Sequence, residues 1–226
     1  MFPPEALTFF RNLSRNNKRE WFQPRKEIFD TKVKAPMIEL IESINGELMK
    51  FAPDYINDPK KALYRIYRDT RFSSDKTPYK THLAAIFPRH GSEGKHAGPG
   101  LFFAVSHKSI EIAGGVYGPE PEDLLKIRTW LAEHHESFRK IARGPRKLMG
   151  ELRGATLSRV PKGFDASHPA ADLIKMKQWY YGAELDSKLA TTPKLLPELI
   201  KRFKAMIPVM EELAKPLAVR KQAAMW

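Results

Sequence analysis

Apolar residues recur along this 226-residue chain with two different periods, and the change of period marks out its elements. Ala6, Phe10 and Leu13 share one side of a helix that the polar run 14–17 brings to a stop. Asn17 followed by Glu20 has the form of a variant capping box opening a second helix, with Trp21 and Phe22 as the first buried aromatics. Pro36 either interrupts that helix or starts a third, and Met37, Leu40, Ile41, Ile44 and Leu48 then keep helical spacing as core. In the middle the period shortens. Segments 81–87, 101–106 and 109–114 are short, apolar or alternating, and separated by turn-rich pieces, which predicts antiparallel strands with His107-Lys108 as a tight hairpin turn. The glycine-rich break at 89–100, with Gly91, Gly94, Lys95 and His96, lacks the order of a phosphate-binding loop and reads as a hairpin loop.

Helical spacing resumes after Pro121, where Glu122 and Asp123 suit a positive helix start and Leu124, Ile127, Leu131, Phe138 and Ile141 form the stripe, closed by Gly144-Pro145. Residues 176–185, with Trp179, Tyr180 and Tyr181 in series, predict another strand, whose aromatics either pack in the core or stack on bases. Thr192-Pro193 predicts the cap and first turn of a last helix striped by Leu196, Leu199, Phe203, Met206 and Met210, with a kink at Pro208. The expected fold class is α+β, a central antiparallel sheet flanked by N-terminal and C-terminal helices, in one domain over residues 1–226.

Composition narrows the function. A net charge of +13 makes polyanions natural partners at low salt, and the excess is spread along the chain with its densest run at 139–162. The absence of cysteine excludes disulfides, thiolate nucleophiles and thiolate metal sites. None of the seven histidines sits in a recognised metal spacing, so no metal is expected, and no motif implies a particular cofactor. The Met-Phe-Pro-Pro-Glu start has neither the basic nor the apolar part of a secretion signal, and no stretch approaches the roughly 20 apolar residues of a membrane span. A cytoplasmic protein without membrane contact is the expectation.

Chemistry concentrates in residues 65–80, which read Arg-Ile-Tyr-Arg-Asp-Thr-Arg-Phe-Ser-Ser-Asp-Lys-Thr-Pro-Tyr-Lys. Guanidinium groups carry five N–H donors in a rigid fork, so Arg65, Arg68 and Arg71 together can receive a phosphate or a nucleic-acid backbone. Asp69 and Asp75 can orient those arginines or neutralise them, while Lys76 and Tyr79 add donors from the following turn. Residues 62–71 can be read as strand or helix, and an extended start followed by a turn at 73–75 is favoured, because Tyr64, Ile66 and Tyr67 suit a pleated surface. Three readings stay open. The motif binds a phosphate-bearing ligand, either an anionic small molecule such as a nucleotide or a nucleic acid. It belongs to a hydrolase or transferase acting on an anionic substrate, with Asp69, His82 or Tyr79 in proton transfer. Or it is a structural ion-pair network in an adaptor protein.

Written as R-x-x-R-D-x-R-F-x-x-D-K-x-x-Y, the segment resembles the signature of a mainly bacterial, uncharacterised family of chains of about this length, domain of unknown function 2461. Arg65, Arg68, Asp69, Arg71, Phe72, Asp75, Lys76 and Tyr79 occupy its fixed positions. The likeness extends from Asn16-Asn17 and Trp21-Phe22 through Gly114-Gly115 to Lys162-Gly163-Phe164 and His168-Pro169. It implies a family and a place to look, and carries no activity with it.

Overall fold

The computed structural model describes residues 1–91 and 96–217, so Gly94 and Lys95 of the glycine-rich break lie outside the described residues. Strands β1 (His82–Pro88), β2 (Gly100–Ser106), β3 (Ser109–Val116) and β4 (Trp179–Asp186) form one antiparallel sheet in that spatial order. His107-Lys108 is the tight turn between β2 and β3, held by the Ser106 hydroxyl, which accepts from the N–H groups of Lys108 and Ser109 at 3.0 Å each. Helices α1 (Pro4–Arg15), α2 (Ala35–Leu48), α3 (Pro121–Ala142) and α4 (Leu195–Ala214) flank the sheet from the N-terminal and C-terminal parts of the chain. The fold is therefore α+β.

Period-two alternation gives the sheet two chemically different faces. Leu83, Phe87, Leu101, Phe103, Ile112 and Tyr181 point into a core completed by the helical stripes of α1, α2 and α4, all at most 1 % exposed. Contact is closest at β3, where a Cβ on Gly114 would lie 2.8 Å from the Met206 sulfur of α4. Residues of the opposite face fall into cross-strand rows: Pro88, Gly100, Gly115 and Tyr180; then Ile86, Phe102, Ala113 and Gly182; then Ala84, Ala104, Glu111 and Glu184.

Several local expectations change. Asn17 does not cap the short helix Arg19–Phe22, whose N-cap is Lys18, because its side chain is committed elsewhere, as described below. Trp21 is only partly buried, whereas Phe22 is fully buried. Pro36 stands in the first turn of α2, as one of the two expectations had it, where proline's missing N–H costs nothing, and a π-helical turn over Phe29–Lys34 leads into that helix. The last helix begins at Leu195 rather than at Pro193, with the Thr192 hydroxyl turned back to the Leu189 carbonyl at 2.9 Å, and it runs through Pro208 without a break. A kink occurs in α3 at His134 (φ −119°, ψ 18°), where the ring lies 3.7 Å from that of Trp130 and Nδ1 donates to the Trp130 carbonyl. Trp179 and Tyr181 are core residues, and only Tyr180 of that aromatic series turns outward.

Candidate functional site

Residues 63–80 form an irregular hairpin along the edge of β1. The Tyr64 N–H donates to the Ala84 carbonyl (2.9 Å), and the two arms are joined by Arg68 N–H to Pro78 O (2.9 Å) and Lys80 N–H to Ile66 O (2.8 Å). An extended arm followed by a turn is what the sequence predicted. Tyr79 roots the hairpin: it is 1 % exposed, its ring stacks on Phe22 at 4.1 Å, and burial pushes its pKa up. Asn17 latches that root to the N-terminal helices. Its Nδ2 donates to the Tyr79 carbonyl (2.8 Å) and its Oδ1 accepts from the Tyr79 N–H (3.1 Å), the two-way exchange that a neighbouring strand would otherwise provide.

At the tip the charges pair off locally. Arg68 Nη1 donates to Asp75 and, at 2.5 Å, to the Thr77 hydroxyl. The Asp75 carboxylate also accepts from the Thr77 N–H at 2.9 Å, and these bonds, the guanidinium first, hold its pKa down to about 2. Asp69 takes Arg71 in a bidentate grip (3.0 and 2.7 Å), which lowers the carboxylate and raises the guanidinium. Lys76 donates to the Thr70 carbonyl at 2.9 Å. Arg65 is exposed and makes no hydrogen bond or ion pair among the described residues. The braced turn holds Phe72 in solvent at 95 % exposure, with the Arg71 guanidinium 5.7 Å from its ring centre, and Tyr67 is 45 % exposed on the same hairpin.

The motif thus gathers Arg65, Arg68, Asp69, Arg71, Asp75 and Lys76 at one tip and buries Tyr79 at the root. His82 opens β1 in the row of Ser106, and burial, then Lys80, lowers its pKa. No hydrogen bond links Asp69, Tyr79 and His82 to one another, and they occupy tip, root and strand start. Among the described residues no group of three histidine or acidic side chains is arranged to hold a metal.

A second site, absent from the sequence reading, lies on the outward face of the sheet. A groove of about 600 Å³ has Gly100, Ala113, Gly115 and Gly182 as its floor. Tyr180, Tyr117, His96 and Phe102 line it, and with Tyr64 their rings form a chain, with centre-to-centre distances of 5.3 Å from Tyr180 to Tyr117, 6.4 Å from Tyr117 to His96, 6.1 Å from His96 to Tyr64, and 6.4 Å from Tyr64 to Phe102. The Tyr64 hydroxyl and His96 Nε2 also share a hydrogen bond of 2.9 Å. Gly115 makes this floor possible: at φ +143° its Cβ would fall 2.1 Å from the Trp179 carbonyl, so no side chain fits. Glu111 and Glu184 are register partners that both line the groove. Arg153 joins from outside the sheet, its backbone paired with Tyr180 (2.7 and 3.0 Å) and its Nη1 3.8 Å from where a Cβ on Gly182 would stand. The available signal was the outward set of β3 and β4, where Glu111, Ala113, Tyr180, Gly182 and Glu184 alternate with core residues.

Residues 5–211 match the family described as "Conserved hypothetical protein (DUF2461)". The chain belongs to this family. The match takes in the hairpin, all four strands and most of α4, so both sites lie within the DUF2461 region. No curated protein and no solved structure matches the chain. No helix among the described residues is long and apolar enough to cross a membrane.

Proposed function

We propose that the chain binds phosphate-bearing polymers, single-stranded nucleic acid in particular, through the tip of the 65–79 hairpin. One observation carries this reading: Phe72 stands 95 % exposed on a turn whose hydrogen bonds are all spent on holding its shape, beside the Arg71 guanidinium. An isolated exposed aromatic has no folding benefit, whereas stacking on a base is worth roughly 1–3 kcal/mol and tolerates any sequence. Arg65, which makes no hydrogen bond or ion pair among the described residues, and Arg71 and Lys76, each held by a single local acceptor, supply charge for the backbone. Arg68 is the exception. Bound to Asp75 and Thr77, it serves the structural network that shapes the turn, so the network and binding readings apply to different residues of one motif.

The test is fluorescence anisotropy with labelled oligo-dT and oligo-U at several salt concentrations. Three contacting cations predict a slope of log affinity against log salt of about −2 for single strands, and Arg65→Ala should flatten it by about 0.7. Phe72→Ala should weaken binding by about tenfold or more with unchanged thermal stability. Equal affinity for Phe72→Ala and the unmodified chain would remove the hairpin tip from the interface.

A further inference from the structure

We infer that the groove on the outward sheet face is a second, separate binding site, for a nucleoside monophosphate. Exposed charges of opposite sign share it, Arg153 on one side and Glu111 with Glu184 on the other, none with an ion-pair partner among the described residues. Arg153 makes no side-chain hydrogen bond or ion pair among the described residues, and its guanidinium rests over the bare backbone of Gly182. Glu184 lies two residues beyond Gly182 along β4, about 7 Å away at the strand rise, and neither it nor its neighbour Glu111 has a cation partner among the described residues. Adjacent like charges directly across a strand pair destabilise a sheet. A chain with a net charge of +13 has cations to spare, yet among the described residues this pair stays open, and so does the arginine next to it. That combination is complementary to a dipolar molecule.

Chemistry assigns the ends. A guanidinium fork matches a phosphate monoester. Ionised carboxylates only accept, so Glu111 and Glu184 select hydroxyl and amino hydrogens such as those of a ribose or a base edge, and repel further phosphates. The arc from Tyr180 through Tyr117 and His96 to Phe102 offers ring faces to a flat base, and a floor of glycine and alanine lets the ligand lie against the backbone. A volume of about 600 Å³ falls within the range of small-molecule sites. Because a triphosphate would carry charge toward the glutamates or out of the groove, the monophosphate is the preferred form.

Calorimetric titration of the full chain with AMP, GMP, CMP and UMP, with adenosine, ATP and inorganic phosphate as companions, tests this directly. At least one monophosphate should bind one-to-one and more tightly than ATP, its nucleoside or phosphate alone. Gly182→Leu has room for its Cβ, the nearest atoms being 3.8 and 4.0 Å away, and fills the groove with its side chain. Binding should then be lost while the melting transition is retained. Arg153→Ala, at an exposed position, should weaken the monophosphate about 10- to 100-fold and leave any weak nucleoside binding unchanged. Phe72→Ala should leave the groove's affinity as it is, so failure at the hairpin and failure here are read separately. No monophosphate binding at millimolar concentration, ATP binding as tightly as the monophosphate, or full binding by both folded Gly182→Leu and Arg153→Ala, would overturn the assignment.

Discussion

Replacing Asn17 by alanine removes both hydrogen bonds that latch the hairpin root, one given to the Tyr79 carbonyl (2.8 Å) and one accepted from its N–H (3.1 Å). The site is partly buried, so water can replace the lost partners only incompletely. A net contribution of about 0.5–1.5 kcal/mol per bond gives a destabilisation of about 2 kcal/mol. At this chain length that corresponds to a fall in Tm of about 4–8 °C. Stacking of Tyr79 on Phe22 remains in the variant, so the loss is confined to the polar exchange. Urea denaturation should show a lower midpoint at unchanged slope. Amide exchange should quicken at Tyr79, Arg68 and Lys80, whose N–H groups depend on the hairpin staying closed. Asn17→Asp is the matching control: it keeps an acceptor for the Tyr79 N–H but turns a carboxylate toward the carbonyl, so it should rescue little or nothing. An unfolding free energy within about 0.5 kcal/mol of the parent for Asn17→Ala, with Tyr79 exchange unchanged, would refute the latch.

Asp75 has its folded pKa held near 2, below the ordinary carboxylate value of about 3.9. Its contribution to stability is therefore complete above about pH 4 and is lost as pH falls through about 2; Asp75→Asn should flatten the acid limb of a plot of Tm against pH, and an identical limb would argue against the Arg68 pairing. Gly46 in α2 has nothing within 4 Å of a prospective Cβ, so Gly46→Ala should stabilise by about 0.5–1 kcal/mol in chemical denaturation. Gly115→Ala places a methyl 2.1 Å from the Trp179 carbonyl, and should cost well over 4 kcal/mol and yield little soluble protein in an expression assay. Phe203→Ala in α4, at a fully buried position, should cost about 3–5 kcal/mol by the same denaturation measurement.

Elements whose signal is local periodicity were legible in the sequence. The stripes of α1, α2 and α4 and the alternation of β1 to β3 state their buried faces within a few residues, and the structure buries those stripes except at Leu196, which is half-buried while Leu195 takes the core position. Caps were less legible, because Asn17 and Thr192 have polar side chains free to choose between a local helix end and another acceptor. Asn17 chose a backbone 62 residues away, a contact no local pattern announces. The hairpin tip was legible as a cluster because its ion pairs are local, but which arginine was already spent depended on the turn bringing Asp75 and Thr77 onto Arg68. The groove was invisible for a further reason. Its floor needs the register of β2, β3 and β4 together, and Arg153 comes from a segment with no strand period of its own.

The closeness of α4 to β3 constrains how the chain can mature on the ribosome. Strands β1 to β3 are contiguous in the sequence and can pair as soon as they emerge, yet their apolar side, including Leu101, Phe103 and Ile112, waits for Phe203, Met206 and Met210 to arrive. Until residues near 210 leave the exit tunnel, a paired meander presents to solvent, or to any holdase near it, an apolar face that α1 and α2 cover only in part. Stalling within the α3–β4 interval would hold the nascent chain in that state, and truncation before α4 should yield aggregates containing native-like strands rather than a smaller folded protein.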